Sequence, residues 1–156
     1  GYLDVDVVAL MDADGSMIPE EIPRFIEALN SGADLVKASR FRKGGYTYDM
    51  NFIRRVGNFL FRLLVNLLWS TRYTDICYGF GVFTKEAINE MTPFLKSANF
   101  EIETEIFIKA KKLGLKVTEV PSVELRRRYG KSNLSAFKDG LRILKTIIRE
   151  FVHSRI

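Results

Sequence analysis

Val5 to Ser16 reads VDVVALMDADGS, an apolar run that ends in two carboxylates one residue apart, followed by glycine. In a strand, residues i and i+2 share a face. A strand ending at Met11 therefore leaves Asp12 and Asp14 where the chain turns out of the sheet, with Gly15 easing that turn. Val7 to Met11 has the near-continuous apolar character of a parallel strand buried on both faces. Ligands of such sheets bind beyond the carboxyl ends of the strands. Two close carboxylates repel unless a proton or cation intervenes, so a hard divalent metal with oxygen ligands is their natural third party. A capped turn before a helix explains the same residues, and on this stretch alone both readings stand.

A calcium loop of the EF-hand type needs glycine at its sixth position and glutamate at its twelfth. Counted from Asp12 those are Met17 and Pro23, which excludes it. An apolar strand followed by DxDG and Ser also resembles phosphatases of the haloacid dehalogenase kind, in which Asp12 would be the nucleophile and Asp14 the acid. That resemblance stops here, because no later apolar run ends in the paired acidic residues such a phosphatase carries.

Working outward, Pro19, Glu20 and Glu21 suit a helix start, and Ile22, Phe25, Ile26 and Leu29 share one face of a helix that stops near Asn30 to Gly32. Ala33 to Ala38 is a short strand. A strand, helix and strand in this order form a βαβ unit with a right-handed crossover, which brings Arg40 to the same sheet edge as Asp12 and Asp14 and makes it a phosphate-binding candidate. Residues 42–51 read as a loop. Phe52 to Trp69 reads as a helix apolar nearly all round, buried in the core or lying at a lipid interface, with Arg54 and Asn58 four apart on one face. Its uncharged part is too short to span a membrane. Asp75 precedes the glycines of YGFG. Phe100 to Leu113 is an amphipathic helix with Glu101, Glu103 and Glu105 at its start, and Leu115 to Val120 is a strand closed by Pro121. RRRYGKSNL then makes a flexible cationic loop. In the final helix, Ala136 to Ile156, Phe137, Leu141, Leu144, Ile148 and Phe151 recur at helical spacing with Lys138, Arg142, Lys145 and Arg149 on another face, and the helix is expected to pack on the domain, to lie against an anionic membrane surface, or both.

The chain of 156 residues is one domain's worth, and its net charge of +5 implies a surface that seeks phosphate. The single cysteine, Cys77, cannot form an internal disulfide and is expected to be a buried, inert thiol. A buried first strand needs neighbours on both sides, so either the chain is the later part of a longer protein or later strands flank the first.

DADGS, ASRF, RRVGN, TDICYGF, FEIETEI and EVPSVELRRRYGKSNL occur in this order, from about Val5 to Glu150. Together they resemble the later part of a family 2 glycosyltransferase, in the branch similar to dolichol-phosphate and other polyprenyl-phosphate sugar transferases. The resemblance implies an α/β, Rossmann-like GT-A fold, incomplete at the N-terminus, with residues 1–134 as catalytic portion and 135–156 as a basic amphipathic helix on the domain or at a membrane surface. It implies Mg²⁺ or Mn²⁺ on Asp12 and Asp14, and a UDP- or GDP-linked donor whose diphosphate meets Asp12, Asp14, Arg127, Arg128, Lys131 and Ser132. Asp14 and Asp75 would be catalytic, and Arg40, Arg54 and Asn58 would bind the phosphate of a polyprenyl acceptor in an inverting displacement. Asn58 and Ser16 depart from the serine and glutamine that some relatives carry there. A hydroxyl acceptor would instead need a carboxylate base, for which Asp75, Glu101 and Glu103 are candidates. The resemblance also places the protein at the cytoplasmic membrane face as a peripheral protein. The family's opening nucleotide-binding segment has no counterpart in this sequence, so the chain alone is expected to transfer little or no sugar. A basic nucleic-acid-binding domain is the competing non-enzyme reading, but it leaves the aspartate pair unexplained.

Overall fold

A four-stranded sheet with the order β1-β4-β2-β5 forms the centre of the computed structural model, which describes residues 5–132 and 134–153. The strands are β1 (Val7–Leu10), β2 (Leu35–Ser39), β4 (Gly81–Thr84) and β5 (Val117–Pro121), while β3 (Tyr46–Thr47) and β6 (Val123–Glu124) pair separately. The helices are α1 (Ile22–Asn30), α2 (Phe52–Trp69), α3 (Lys85–Met91), α4 (Glu101–Lys112) and α5 (Ala136–Val152). Because β4 is antiparallel to both β1 and β2, the latter two run the same way, and their carboxyl ends open at one edge. Asp12 and Arg40 therefore leave the sheet on the same side.

Side-chain alternation along the strands sorts the core into two layers. Leu35 and Phe83 face a cluster with Val65 of α2, Ile106 and Phe107 of α4, and Ile143 and Ile147 of α5. Val36, Ala38 and Val82 face Phe25 and Leu29 of α1, with Phe80 and Met17. Since Ile143 and Ile147 belong to the first cluster, α5 is built into the same core as α4.

β1 is hydrogen-bonded only to β4 among the described residues, and Val7, Leu10 and Met11 are exposed, so of the two alternatives for its neighbours the flanking by later strands on both sides is not found. The strand buried on both faces is β2 instead, where every residue is enclosed. Helix α5 packs on the domain through a different stripe from the apolar one named in the sequence. Its inward positions are Asp139, Ile143, Thr146, Ile147 and Glu150, whereas Phe137, Leu141, Ile148 and Phe151 are exposed. The ionic partners of α4 decide this orientation. Glu150 is held by Lys109 Nζ at 2.8 Å and Lys112 Nζ at 3.1 Å, and Arg149 reaches Glu105. The remainder of the expected helix, 154–156, lies outside the described residues.

Candidate active site

Asp12, Asp14, Arg40, Arg54, Glu103, Glu124, Arg127 and Ser132 line one cleft at the carboxyl edge of the sheet, enclosing about 520 Å³ open to solvent. Residues from five separate stretches of the sequence thus meet in one place.

The aspartate loop is shaped from within and from above. Ser16 donates its backbone N–H to Asp14 Oδ1 at 2.8 Å, closing a local turn, and Arg127 Nη2 lies 3.0 Å from Asp14 Oδ2. Burial opposes the charge of Asp14, but the hydrogen bonds of Ser16 and the Arg127 guanidinium outweigh it and hold the carboxyl below its ordinary range. Asp12 shifts the other way. Loss of hydration, and then the negative charge of Asp14, raise its carboxyl. A pair whose members diverge in this manner is one that a cation would relieve.

The basic loop folds over the aspartates rather than standing free. Arg128 and Tyr129 donate their N–H groups to the Asp14 carbonyl at 3.0 and 3.1 Å, and Leu125 donates to the Ser16 carbonyl at 2.8 Å. Gly15 permits this closure. Its φ of +76° is left-handed, and a Cβ there would lie 3.3 Å from Arg128 Cβ. Of the four loop residues expected at the diphosphate, Arg127 and Ser132 line the cleft. Arg128 packs over Gly15, Lys131 is exposed, and neither contributes to the lining. Asn133 of the same loop lies outside the described residues.

The acceptor-phosphate residues are placed differently from expectation. Arg40 is buried, with Nε 2.7 Å from Asp75 Oδ2, Nη2 3.0 Å from Asp75 Oδ1 and 2.6 Å from the Cys77 carbonyl, and Nη1 3.1 Å from Glu124 Oε1. Its guanidinium also lies over the Tyr78 ring, at 4.3 Å. Burial works against its charge, but Asp75, Glu124 and Glu103 outweigh that and raise its pKa. A guanidinium so engaged is a strut in the cleft wall, and it would have to give up carboxylates to receive a phosphate. Asn58 is buried as well, its Oδ1 accepting from Ile76 and Cys77 N–H at 3.1 and 3.2 Å, which ties α2 to the TDICYG segment. Arg54 alone of the three keeps a partly exposed head, 3.8 Å from Asp49 and facing the cleft.

Asp75, expected to be catalytic, is placed away from the cleft surface. It is fully enclosed, accepts from the Arg40 guanidinium and from the Arg40 and Cys77 N–H groups, and is absent from the described residues lining the cleft. Burial opposes its charge, yet Arg40 and then Lys37 hold it ionised. An anion with its lone pairs occupied is a poor base, and these bonds fix the orientation of the Arg40 guanidinium. Lys37 completes the network from β2, bonded to the Asp75 carbonyl and lying 3.2 Å from Glu119.

Glu103 is the acid that does face the cleft. Its carboxylate packs so closely on Gly79 that a Cβ there would come within 2.9 Å of Oε1. Burial pushes its carboxyl up to about 8, Arg40 pulls against this, and the charges of Asp12 and Asp75 add to it. Glu101, the other acid weighed as a base, does not line the cleft. Glu124 escaped the sequence reading, although its place two residues before the arginine run was the available signal. Cys77 sits at the cleft wall, with its thiol pushed up to about 12 by burial and by the neighbouring Glu103 and Asp75 charges.

Asp12 and Asp14 are hard oxygen donors, and among the described residues no group of three or more His, Cys, Asp or Glu is arranged to hold a metal. Two carboxylates fit Mg²⁺ or Mn²⁺ when substrate phosphates and water supply the other ligands.

The chain is 28% identical to a dolichyl-phosphate hexose transferase of Haloferax volcanii over 98% of its own length and 64% of that protein's. It is 29% identical to an undecaprenyl-phosphate mannosyltransferase of Micrococcus luteus, covering 83% of the chain and 54% of the relative. In structure it matches a glucosyl-3-phosphoglycerate synthase from Mycobacterium tuberculosis, solved with Mn²⁺, UDP-glucose and phosphoglyceric acid. The TM-score is 0.66 and the identity 20%, over 94% of this chain and 50% of that one. The chain thus spans about half to two thirds of the length of these proteins. The fold is that of the GT-A sugar transferases, and the phosphatase reading of DADGS is not favoured. The family model of glycosyl transferase family 2 matches residues 2–92, more than half of the sequence, and the chain belongs to that family.

Proposed function

We propose that the protein moves a sugar from a nucleotide-diphospho-sugar to a polyprenyl phosphate, with a divalent metal at the donor diphosphate, in peripheral contact with a membrane. The observation that carries this is the joining of Asp12, Asp14, Arg127, Ser132 and Arg54 in one cleft. Relatives named for dolichyl-phosphate and undecaprenyl-phosphate transfer support the acceptor class.

Asp12 and Asp14 would hold Mg²⁺ or Mn²⁺, which supplies Lewis-acid neutralisation of the departing diphosphate. Asp14 is pre-oriented for this by the Ser16 N–H. Arg127, now on Asp14, is within reach of the same anion and can transfer its hydrogen bonds to phosphate oxygens as charge leaves the sugar. Arg54 faces the cleft from the acceptor side, where it positions the attacking phosphate opposite the leaving group. A phosphate acceptor is already an oxyanion at neutral pH and needs no base. The Arg40–Asp75–Glu124 cluster keeps the wall rigid beneath these groups.

Glu103 favours a second reading, in which the acceptor is a hydroxyl. A carboxyl with its pKa near 8 facing the cleft suits a general base at neutral pH. The test is a transfer assay on the full-length protein with UDP- and GDP-sugars, comparing undecaprenyl phosphate with undecaprenol. Product from the phosphate alone, retained in Glu103→Gln, supports the phosphate reading. Transfer to the alcohol that Glu103→Gln abolishes would replace it.

A further inference from the structure

The basic loop is fastened to the aspartate turn on both sides of Arg127. Leu125 donates its N–H to the Ser16 carbonyl at 2.8 Å, and Arg128 and Tyr129 donate theirs to the Asp14 carbonyl at 3.0 and 3.1 Å. The root of the loop is fixed in turn, because Glu124 of β6 accepts from Arg40 Nη1 and Thr47 Oγ1. Backbone register therefore delivers the guanidinium to one carboxylate. Arg127 Nη2 lies 3.0 Å from Asp14 Oδ2, while the Ser16 N–H takes Oδ1 at 2.8 Å.

Two features set this pair apart from the ion pairs in the cleft wall. Arg127 Nε is buried and has no hydrogen-bond partner among the described residues. In Arg40, by contrast, Nε, Nη1 and Nη2 are all engaged by carboxylates. A guanidinium is a fork of donors suited to several acceptor oxygens at once, and Asp14 alone leaves it under-used. The second feature is access. The Arg127 side chain is 27% exposed, so leaving Asp14 for another anion strands no fully buried charge.

The same placement opposes a metal. A dication taken up by Asp14 meets the guanidinium already there, and like charges repel strongly in a partly desolvated site. A diphosphate in the cleft removes the conflict, since its oxygens can receive both cations. We infer that Arg127 competes with the divalent metal for Asp14 until a nucleoside diphosphate draws the guanidinium off, so that metal and diphosphate are taken up together and neither is held firmly alone. The inference rests on the proposed function for what the cleft binds. Coupling of this kind is reciprocal, each ligand raising the affinity of the other by the same factor.

The test is Mn²⁺ binding to the full-length protein without sugar donor or acceptor, read from the electron paramagnetic resonance of free Mn²⁺. It is measured alone and with UDP or GDP, the Mn²⁺ held by the nucleotide itself being measured without protein. Wild type is expected to bind Mn²⁺ at least about fivefold more tightly with nucleotide than alone. Arg127→Gln is expected to bind Mn²⁺ alone at least about fivefold more tightly than wild type, and to lose most of the nucleotide effect. Arg127→Met, which keeps the apolar stem, gives the same reading where Arg127→Gln does not fold. Lys131→Gln removes an equal charge from an exposed part of the loop and is expected to leave Mn²⁺ affinity within about twofold of wild type. Mn²⁺ affinity in the folded Arg127 variants equal to or below wild type overturns the inference. If nucleotide still binds with Mn²⁺ in the wild type, the transferase reading survives that result, with Arg127 as a phosphate ligand only. An equal gain in Lys131→Gln also overturns the inference, because net charge alone then explains it. A wild type that binds neither Mn²⁺ nor nucleotide overturns both.

Discussion

Replacing Arg40 with alanine separates a structural strut from a substrate ligand. The guanidinium is the counter-ion of two enclosed carboxylates, Asp75 at 2.7 Å and Glu124 at 3.1 Å. Removing one partner of a buried ion pair strands the other charge, which costs about 3–5 kcal/mol. For a chain of this size that corresponds to a fall of roughly 6–20 °C in melting temperature. Urea titration should show the midpoint falling with the slope unchanged. The pH dependence carries a sign. Asp75 has its carboxyl held below the ordinary value of 3.8, so its contribution is present above that pH and is lost as pH falls through the folded value. The gap between wild type and Arg40→Ala should therefore narrow on acidification below about pH 4, where the unfolded carboxyl also protonates. Arg40→Lys should be intermediate, since an ammonium cannot span both carboxylates and the Cys77 carbonyl. A variant that keeps its stability to within about 1 kcal/mol but loses acceptor affinity would refute this reasoning and restore Arg40 as a phosphate ligand.

Gly15→Ala should lower both stability and nucleotide affinity, by about 1–3 kcal/mol in a thermal melt, because alanine is strained at φ +76° and would press on Arg128. Glu103 has its carboxyl raised to about 8 from 4.5, so its neutral form contributes stability that is full below pH 4.5 and lost as pH rises through 8. Glu103→Gln should thus melt higher than wild type at pH 9 in EDTA and nearly with it at pH 4. Glu150→Gln leaves Lys109 and Lys112 against a neutral group, and should cost about 3 kcal/mol at neutral pH by urea unfolding.

The bounds of α2, the strand ends before Asp12 and Arg40 and the cationic loop after β6 were legible because each rests on local pattern. Periodicity marked the apolar stripe of α5, but which stripe faces the core depended on Glu150 meeting Lys109 and Lys112, three side chains that only the fold brings together. For the same reason Arg40 and Asp75, 35 residues apart, read as two site residues when they are one buried pair. A short apolar strand such as β1 looks alike at the edge and in the centre of a sheet, since neighbours rather than composition decide its burial. β4 was missed because Gly79 and Gly81 of YGFG suggest a bend more strongly than four residues suggest a strand.

The most direct test of the site is calorimetric titration of the full-length protein with UDP and GDP, in Mn²⁺ and in EDTA, for wild type and Asp14→Asn. The account predicts binding of one nucleoside diphosphate that requires Mn²⁺ and is lost in Asp14→Asn, while the melting temperature of the unliganded variant stays within a few degrees of wild type. Nucleotide binding of equal strength in EDTA, or undiminished in Asp14→Asn, would contradict the assignment of Asp12 and Asp14 to the metal and diphosphate.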